Sequence, residues 1–449
     1  MLDCQEIKKL ESDLNDFNAD KRQESLSILK KFAEKENIIS ARKITPYNLH
    51  CHTFCSYNGY GYSPSYIAWL ACRELWFAAG IVDFDVLDAV EEFLASAAEL
   101  DVRGVCGLET RAFVADMAND VINSPGEPGV AYHMGVGFTS SELPDEQQKF
   151  LSGLKEKAVA RTKNIVKLVN TYLSPVELDF EEDAANLTPF GNVTERHACT
   201  AYRKKAEELF TDENARAEFW AEKLSLDLES AKSLIDDPVK LEGTIRSKTM
   251  KSGGVGYVKA SPESFPALQD MNDFAKACGA IPCIAWLDGM SDGEKDPGKL
   301  LDIHISHGAA LLNIIPDRNW NFSDLEVKAA KIKCLDEIIE AAIERDMPII
   351  VGTEMNAPGL KLVDDFDCDA LSQHNETFLD GAAICFSHTL LTPLGMGYLS
   401  DWAEDNFSDK ATKNAFFAEF GSSMTPYKFA EIKDQLTDKV AGEILDIID

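Results

Sequence analysis

Between residues 44 and 390, short apolar runs alternate with amphipathic helical segments, and this alternation constrains the fold more than any other feature of the chain. The runs cover 47–52, 78–84, 103–109, 129–135, 280–287, 309–315 and 347–354. Several follow a helical pattern that ends near glycine, as in Ala277-Cys278-Gly279 and His307-Gly308. Strand–helix alternation of this kind implies parallel strands joined by helical crossovers. Seven or eight such units point to a closed barrel, with an open doubly wound sheet as the alternative.

The flanks differ in texture. Residues 1–43 are polar and helical in character, with Leu10, Leu14, Phe17, Leu26, Leu29 and Phe32 on helical stripes. The tail over 401–449 is again helical and acidic. A helical insertion over about 198–260 interrupts the barrel region 44–400 and ends in the glycine-rich loop 251–257. That loop resembles a dinucleotide-binding fingerprint only loosely, because it does not follow a strand and open a helix. Gly253, Gly254 and Gly256 are read as letting the insertion pack over the barrel mouth, with direct phosphate contact through their backbone amides as the alternative.

Charge narrows the function classes. The 449 residues carry 44 Lys+Arg against 76 Asp+Glu, a formal charge of −32, which repels nucleic-acid backbones and anionic membranes. The N-terminus lacks a basic region followed by an apolar core, and the apolar stretch 66–82 is broken by Arg73 and Glu74. The eleven cysteines are scattered without CxxC pairs and read as reduced thiols. A cytoplasmic protein acting on a small molecule, with neither nucleic acid nor membrane as partner, is expected; the oligomeric state is not legible.

The chemistry lies in the residues that end the runs. His50 and His52 stand two apart, so strand alternation points both to one side and Cys51 to the other, the geometry of a compact metal chelate. Asp83, Glu109, His133 and Glu354 end later runs, and strand ends converge on one face of a barrel. His304, His307, His374 and His388 lack this placement and are read as structural or surface groups.

The stretch 48–56 with Ser63-Pro64, then 81–87, then Gly107-Leu108-Glu109, resembles the first three motifs of the polymerase and histidinol phosphatase (PHP) family of metal-dependent phosphoesterases. Glu195-Arg196-His197-Ala198, the loop 253–257 and 352–356 continue the match in order. The resemblance implies a distorted (β/α)7 TIM-like barrel with a helical insertion and helical N- and C-terminal extensions. It implies a first metal held by His50, His52, Glu109 and Glu354, and a second held by the bridging Glu109 with His133 and His197. Glu354 stands where the family usually has Asp. Phe84, Asn356 and Trp286 replace histidines of the family pattern, so a site for two divalent ions (zinc, manganese or iron) that has lost a third position is expected.

The implied activity is hydrolysis of a small phosphate monoester. The candidate catalytic residues are Arg196, Lys251 and Arg318 as phosphate-binding cations, or else surface ion-pair partners, together with Asp83. Asp83 is read either as an acceptor orienting a metal-bound histidine or as a satisfied loop carboxylate. The alternatives are a metal-dependent hydrolase of a C–N or C–O bond, and a non-catalytic binding protein on a degenerate barrel.

Overall fold

A computed structural model describes residues 2–41, 45–259 and 264–448. The expected boundary at 43/44 and the expected end of the insertion at 260 lie outside the described residues. Seven strands form one sheet in sequential order: β1 (Asn48–Cys51), β2 (Ala78–Phe84), β3 (Arg103–Phe113), β4 (Val130–Val136), β5 (Ile281–Trp286), β6 (Leu311–Ile314) and β7 (Ile349–Val351). The sheet closes on itself where His52 N–H donates to the Glu354 carbonyl (2.8 Å) and Glu354 N–H donates to the His50 carbonyl (2.7 Å). The result is a distorted (β/α)7 TIM-like barrel with helical extensions.

The distortion has a definite location. β1–β2–β3 and β5–β6–β7 are parallel, but β4 runs antiparallel to both β3 and β5. The expectation of uniformly parallel strands therefore fails at the fourth. No crossover helix precedes β4: the chain leaves β3 at Phe113 and returns within 17 residues through one short 3-10 turn, which suits an antiparallel return.

The N-terminal helices α1 (Cys4–Asp13) and α2 (Ala19–Lys35) pack on the crossover helices α3 (Pro64–Arg73) and α4 (Val90–Glu99). Ser63 caps α3 and donates to the Leu14 carbonyl (2.6 Å), while the Trp69 indole donates to Glu11 (2.9 Å). The long α5 (Asp145–Leu173) follows β4. Its second half joins α6 (Glu195–Leu209), α7 (Glu213–Leu224), α8 (Leu228–Ile235) and α9 (Pro238–Ile245) in a separate apolar cluster spanning 165–258. The helical layer thus takes in chain well before residue 198, because Ile165, Val169 and Leu173 supply one wall of its core.

After α10 (Leu268–Ala277), the crossovers α11 (Pro297–Ser306) and α13 (Leu325–Ile343), with the single turn α12 (Asp317–Trp320), complete the barrel. The helix α14 (Asn375–Leu391) crosses the end opposite the site and packs on β7, β3 and β2. The tail helices α15 (Asp401–Asn406) and α16 (Lys410–Ser423) then cover it, and Phe416, Phe417 and Phe420 belong to the main barrel core. Among the described residues no helix is long and apolar enough to cross a membrane.

Close contact between α14 and β7 depends on Gly381, where an added Cβ would lie 1.8 Å from the Ile349 carbonyl oxygen. Gly381→Ala should force α14 off the barrel and lower the urea midpoint by the equivalent of about 1–3 kcal/mol. An unchanged midpoint would contradict this packing.

Candidate metal centre and cavity

β1 delivers His50 and His52 to the barrel mouth, and β3 delivers Glu109. All three are at least 97 % buried. Their Nε2, Nε2 and Oε2 atoms converge. His52 Nε2 lies 3.2 Å and His50 Nε2 3.6 Å from Glu109 Oε2, and the two imidazole nitrogens are 3.3 Å apart. Among the described residues this is the group of three or more His, Cys, Asp or Glu side chains placed to hold a metal ion. Cys51 and Cys55 instead belong to the apolar cluster beneath α3.

Hydrogen bonds at the other ring nitrogens set the orientation. His50 Nδ1 faces the Asn313 amide oxygen (3.3 Å), so Nδ1 carries the proton and Nε2 presents its lone pair. His52 Nδ1 faces Ser56 Oγ (3.4 Å), whose hydroxyl donates to Asp83 Oδ1 (2.5 Å). Asp83 also accepts from the Thr53 backbone N–H (2.7 Å) and hydroxyl (2.6 Å). Buried Asp83 therefore reaches the cluster through Ser56 and does not touch the cavity. Phe84 stacks on the His52 ring, centroids 4.2 Å apart, and shields it from one side.

Burial raises the cost of charge on Glu109, but His50 and His52 beside it outweigh this and hold the carboxyl below its ordinary value. Burial likewise pulls His50 down, and Glu109 beside it more than reverses this, leaving its pKa raised. Glu109 Oε2 is buried, and the polar atoms facing it are the two imidazole Nε2 atoms. Three buried ligand atoms converging on one point suit a divalent cation chemically: with the imidazoles deprotonated they offer two neutral N donors and one anionic O donor.

The second expected ligand set is not brought together. Reversal of β4 pairs Met134 with Glu109 and His133 with Thr110. Alternation then turns Met134 into the barrel core and His133 onto the outer face. There His133 Nε2 contacts the Asn272 amide oxygen (2.5 Å) and its ring stacks on His304. His197 sits in the first turn of α6, where its Nδ1 accepts from the Thr194 backbone N–H (3.1 Å). Its Nδ1 lone pair is thus used as a helix cap, and burial lowers the ring's pKa to about 4.

Glu354 lies at the mouth but is engaged by Arg318, whose guanidinium donates to it in a short contact, and by Asn356 Nδ2 (3.2 Å). Glu354 and Met355 both adopt left-handed backbone conformations, φ +62° and +52°. Two successive non-glycine residues in that region cost on the order of 1–3 kcal/mol each, and the barrel closure holds them.

Above the cluster lies a cavity of about 460 Å³ lined by Arg111, Arg161, Arg196, Arg246, Lys251 and Arg318. Glu109, Glu127, Glu195 and Glu354 also line it, so cations outnumber carboxylates by six to four. Glu127 pairs with Arg111 (3.0 Å) and Arg161 (3.4 Å), and Glu195 with Lys251 (2.7 Å) and Arg246 (3.0 Å). Arg196 differs. Its guanidinium lies over the Tyr57 ring, 5.6 Å from the centroid, and has no carboxylate partner among the described residues; burial depresses its pKa. Trp286 and Tyr132 complete the wall. Sequence reasoning found Arg196, Lys251 and Arg318 but missed Arg111, Arg161, Arg246, Asn313 and Tyr132. Arg111 carried a readable signal: it follows Glu109 by two on the same strand and so faces the same side.

Burial lowers His133 to about 4 and His304 to about 3. Both titrate near 6.5 in an unfolded chain. The stability they contribute is complete above pH 6.5 and is lost as pH falls towards 4, because only the unfolded state takes up the protons. His304→Leu should flatten the fall in unfolding free energy between pH 6.5 and 4, measured by urea titration. An unchanged slope would contradict a buried neutral imidazole there.

No family model matches the chain, and no curated relative matches it. Among solved structures, the chain is similar to an amidohydrolase from Chromobacterium violaceum with bound sulfate and no metal. The identity is 15%, covering 72% of this chain and 92% of that one, with a TM-score of 0.49. It is also similar to a candidate metal-dependent phosphoesterase from Bifidobacterium adolescentis, at 15% identity over 74% of this chain and 96% of that one, with a TM-score of 0.45. Likeness at this level says nothing about the chemistry of the site.

Proposed function

We propose that the protein is a metal-dependent hydrolase of a small phosphate monoester, with one divalent ion (zinc, manganese or iron) held by His50, His52 and Glu109. The observation that carries this reading is the buried convergence of Glu109 Oε2 with two oriented imidazoles at the floor of a cation-rich cavity. A divalent ion there supplies Lewis-acid polarisation of an ester oxygen and activation of water near neutral pH.

The residues of the chain do the rest. Asn313 and the Asp83–Ser56 relay hold His50 and His52 in the tautomer and orientation that ligation requires. Arg196, lacking a carboxylate partner, is free to take phosphate oxygens in a planar two-pronged contact. Arg318, paired with Glu354 at the cavity wall, neutralises that carboxylate and adds positive charge to the site. Trp286, Tyr132 and Phe84 exclude bulk water, which strengthens each of these charge contacts. Lys251 and Arg246 share Glu195, so they contribute to the field of the cavity and not a dedicated contact.

The partner follows from size and charge. A cavity of about 460 Å³ admits a small molecule. The body of the protein, at −32, repels extended polyanions while the local cations draw in a small one.

Phosphate release from phenyl phosphate by protein reconstituted with each ion tests the reading. Arg196→Met should lower kcat/KM by about 10- to 100-fold, as expected for loss of a charge-assisted hydrogen bond worth ~1.5–3 kcal/mol. Absence of phosphate release from any monoester with all three ions, or an Arg196→Met variant with unchanged kcat/KM, would contradict it.

A further inference from the structure

The cavity has a second lobe. Phe84, Arg111, Tyr132, Arg196 and Asn356 line both lobes, so the two are continuous. Beyond them a space of about 130 Å³ runs between the barrel wall and α5, bounded by Tyr57, Thr162 and Ile165. Two carboxylates line it, Glu195 and Asp85. Glu195 is committed to Lys251 and Arg246.

Asp85 is not committed. It follows β2 directly, with its backbone N–H donating to the carbonyl of Glu109 (2.9 Å), so it is tied to the strand that carries the metal-centre carboxylate. Its side chain accepts from the Thr110 hydroxyl (2.6 Å), and among the described residues that is its one side-chain hydrogen bond. It has no ion pair among them. Its backbone is left-handed, φ +59°, a conformation that costs energy in any residue but glycine and is least costly for Asn and Asp. A strained residue that presents spare acceptor lone pairs to a cavity is poised to receive a donor.

The lobe's own charges define that donor. Arg111, Arg161, Arg196, Arg246 and Lys251 line it and disfavour an ammonium group, while Asp85, accepting from Thr110 alone among the described residues, offers its spare lone pairs to a hydrogen donor. A neutral hydroxyl satisfies both conditions. We infer that the second lobe is a leaving-group subsite in which Asp85, as a specificity-determining residue, accepts hydrogen bonds from hydroxyls of the substrate. The substrate class is then a phosphate monoester of a polyhydroxylated alcohol. This inference rests on the reading of the first lobe as a phosphate-ester site.

Binding and turnover separate the two. Calorimetric titration of the full-length protein without added metal should show ribose 5-phosphate binding at least about 10-fold more tightly than phenyl phosphate. Asp85→Asn keeps a residue that tolerates the left-handed backbone but turns a donor towards the lobe, and should shrink that ratio to within about 3-fold. Equal binding of the two esters by the native protein, failure of both to bind, or an unchanged ratio in Asp85→Asn would overturn the inference. Selective binding without phosphate release after ions are added would leave the subsite standing and remove the hydrolase reading. Release without selectivity would do the reverse.

Discussion

Closure of the barrel between β1 and β7 is the contact on which the site depends. The two strands are short, and they meet through backbone hydrogen bonds around Glu354, not through a long ladder. Gly352 makes the approach possible, because a Cβ there would lie 2.4 Å from the Cβ of His50. That closeness places His50 against Asn313 of β6 and brings the Arg318–Glu354 pair to the cavity wall. The same closure holds Glu354 and Met355 in left-handed conformations, so strain and function share one turn.

Electrostatics inside the barrel run against those outside. The body is strongly acidic, yet the mouth gathers five arginines and a lysine over a buried glutamate. Burying Glu109 is costly unless opposite charge compensates it, and two imidazoles supply that compensation from one side. The remaining cations are mostly held by Glu127, Glu195 and Glu354, which keeps them from repelling one another and fixes their direction. Arg196 is the exception: it lies over the Tyr57 ring and has no carboxylate partner among the described residues.

Much of this arrangement was legible in the sequence. The run 78–84 coincides with β2, and the His50–Cys51–His52 alternation correctly separated the imidazoles from the thiol. Local apolar pattern and strand period carry that information. Strand direction is a different matter, because it is set by what the connection does in three dimensions. The register of β4, which sets His133 opposite Thr110, turns His133 outwards, and no local feature of 129–135 announces it. The capping role of His197 was hidden for a similar reason: it depends on Thr194 opening a helix three residues earlier. The arginines of the cavity come from β3, α5, α6, the turn after α9 and α12, so they converge through long-range packing alone.

The chemistry of the site turns on whether His50, His52 and Glu109 hold one divalent ion. Elemental analysis of the purified protein after reconstitution with zinc, manganese or iron, and removal of free ion, tests it most directly. The account predicts close to one ion per chain, lost in folded His52→Ala and retained in His133→Ala. No bound ion, or two ions of which one requires His133, would contradict it.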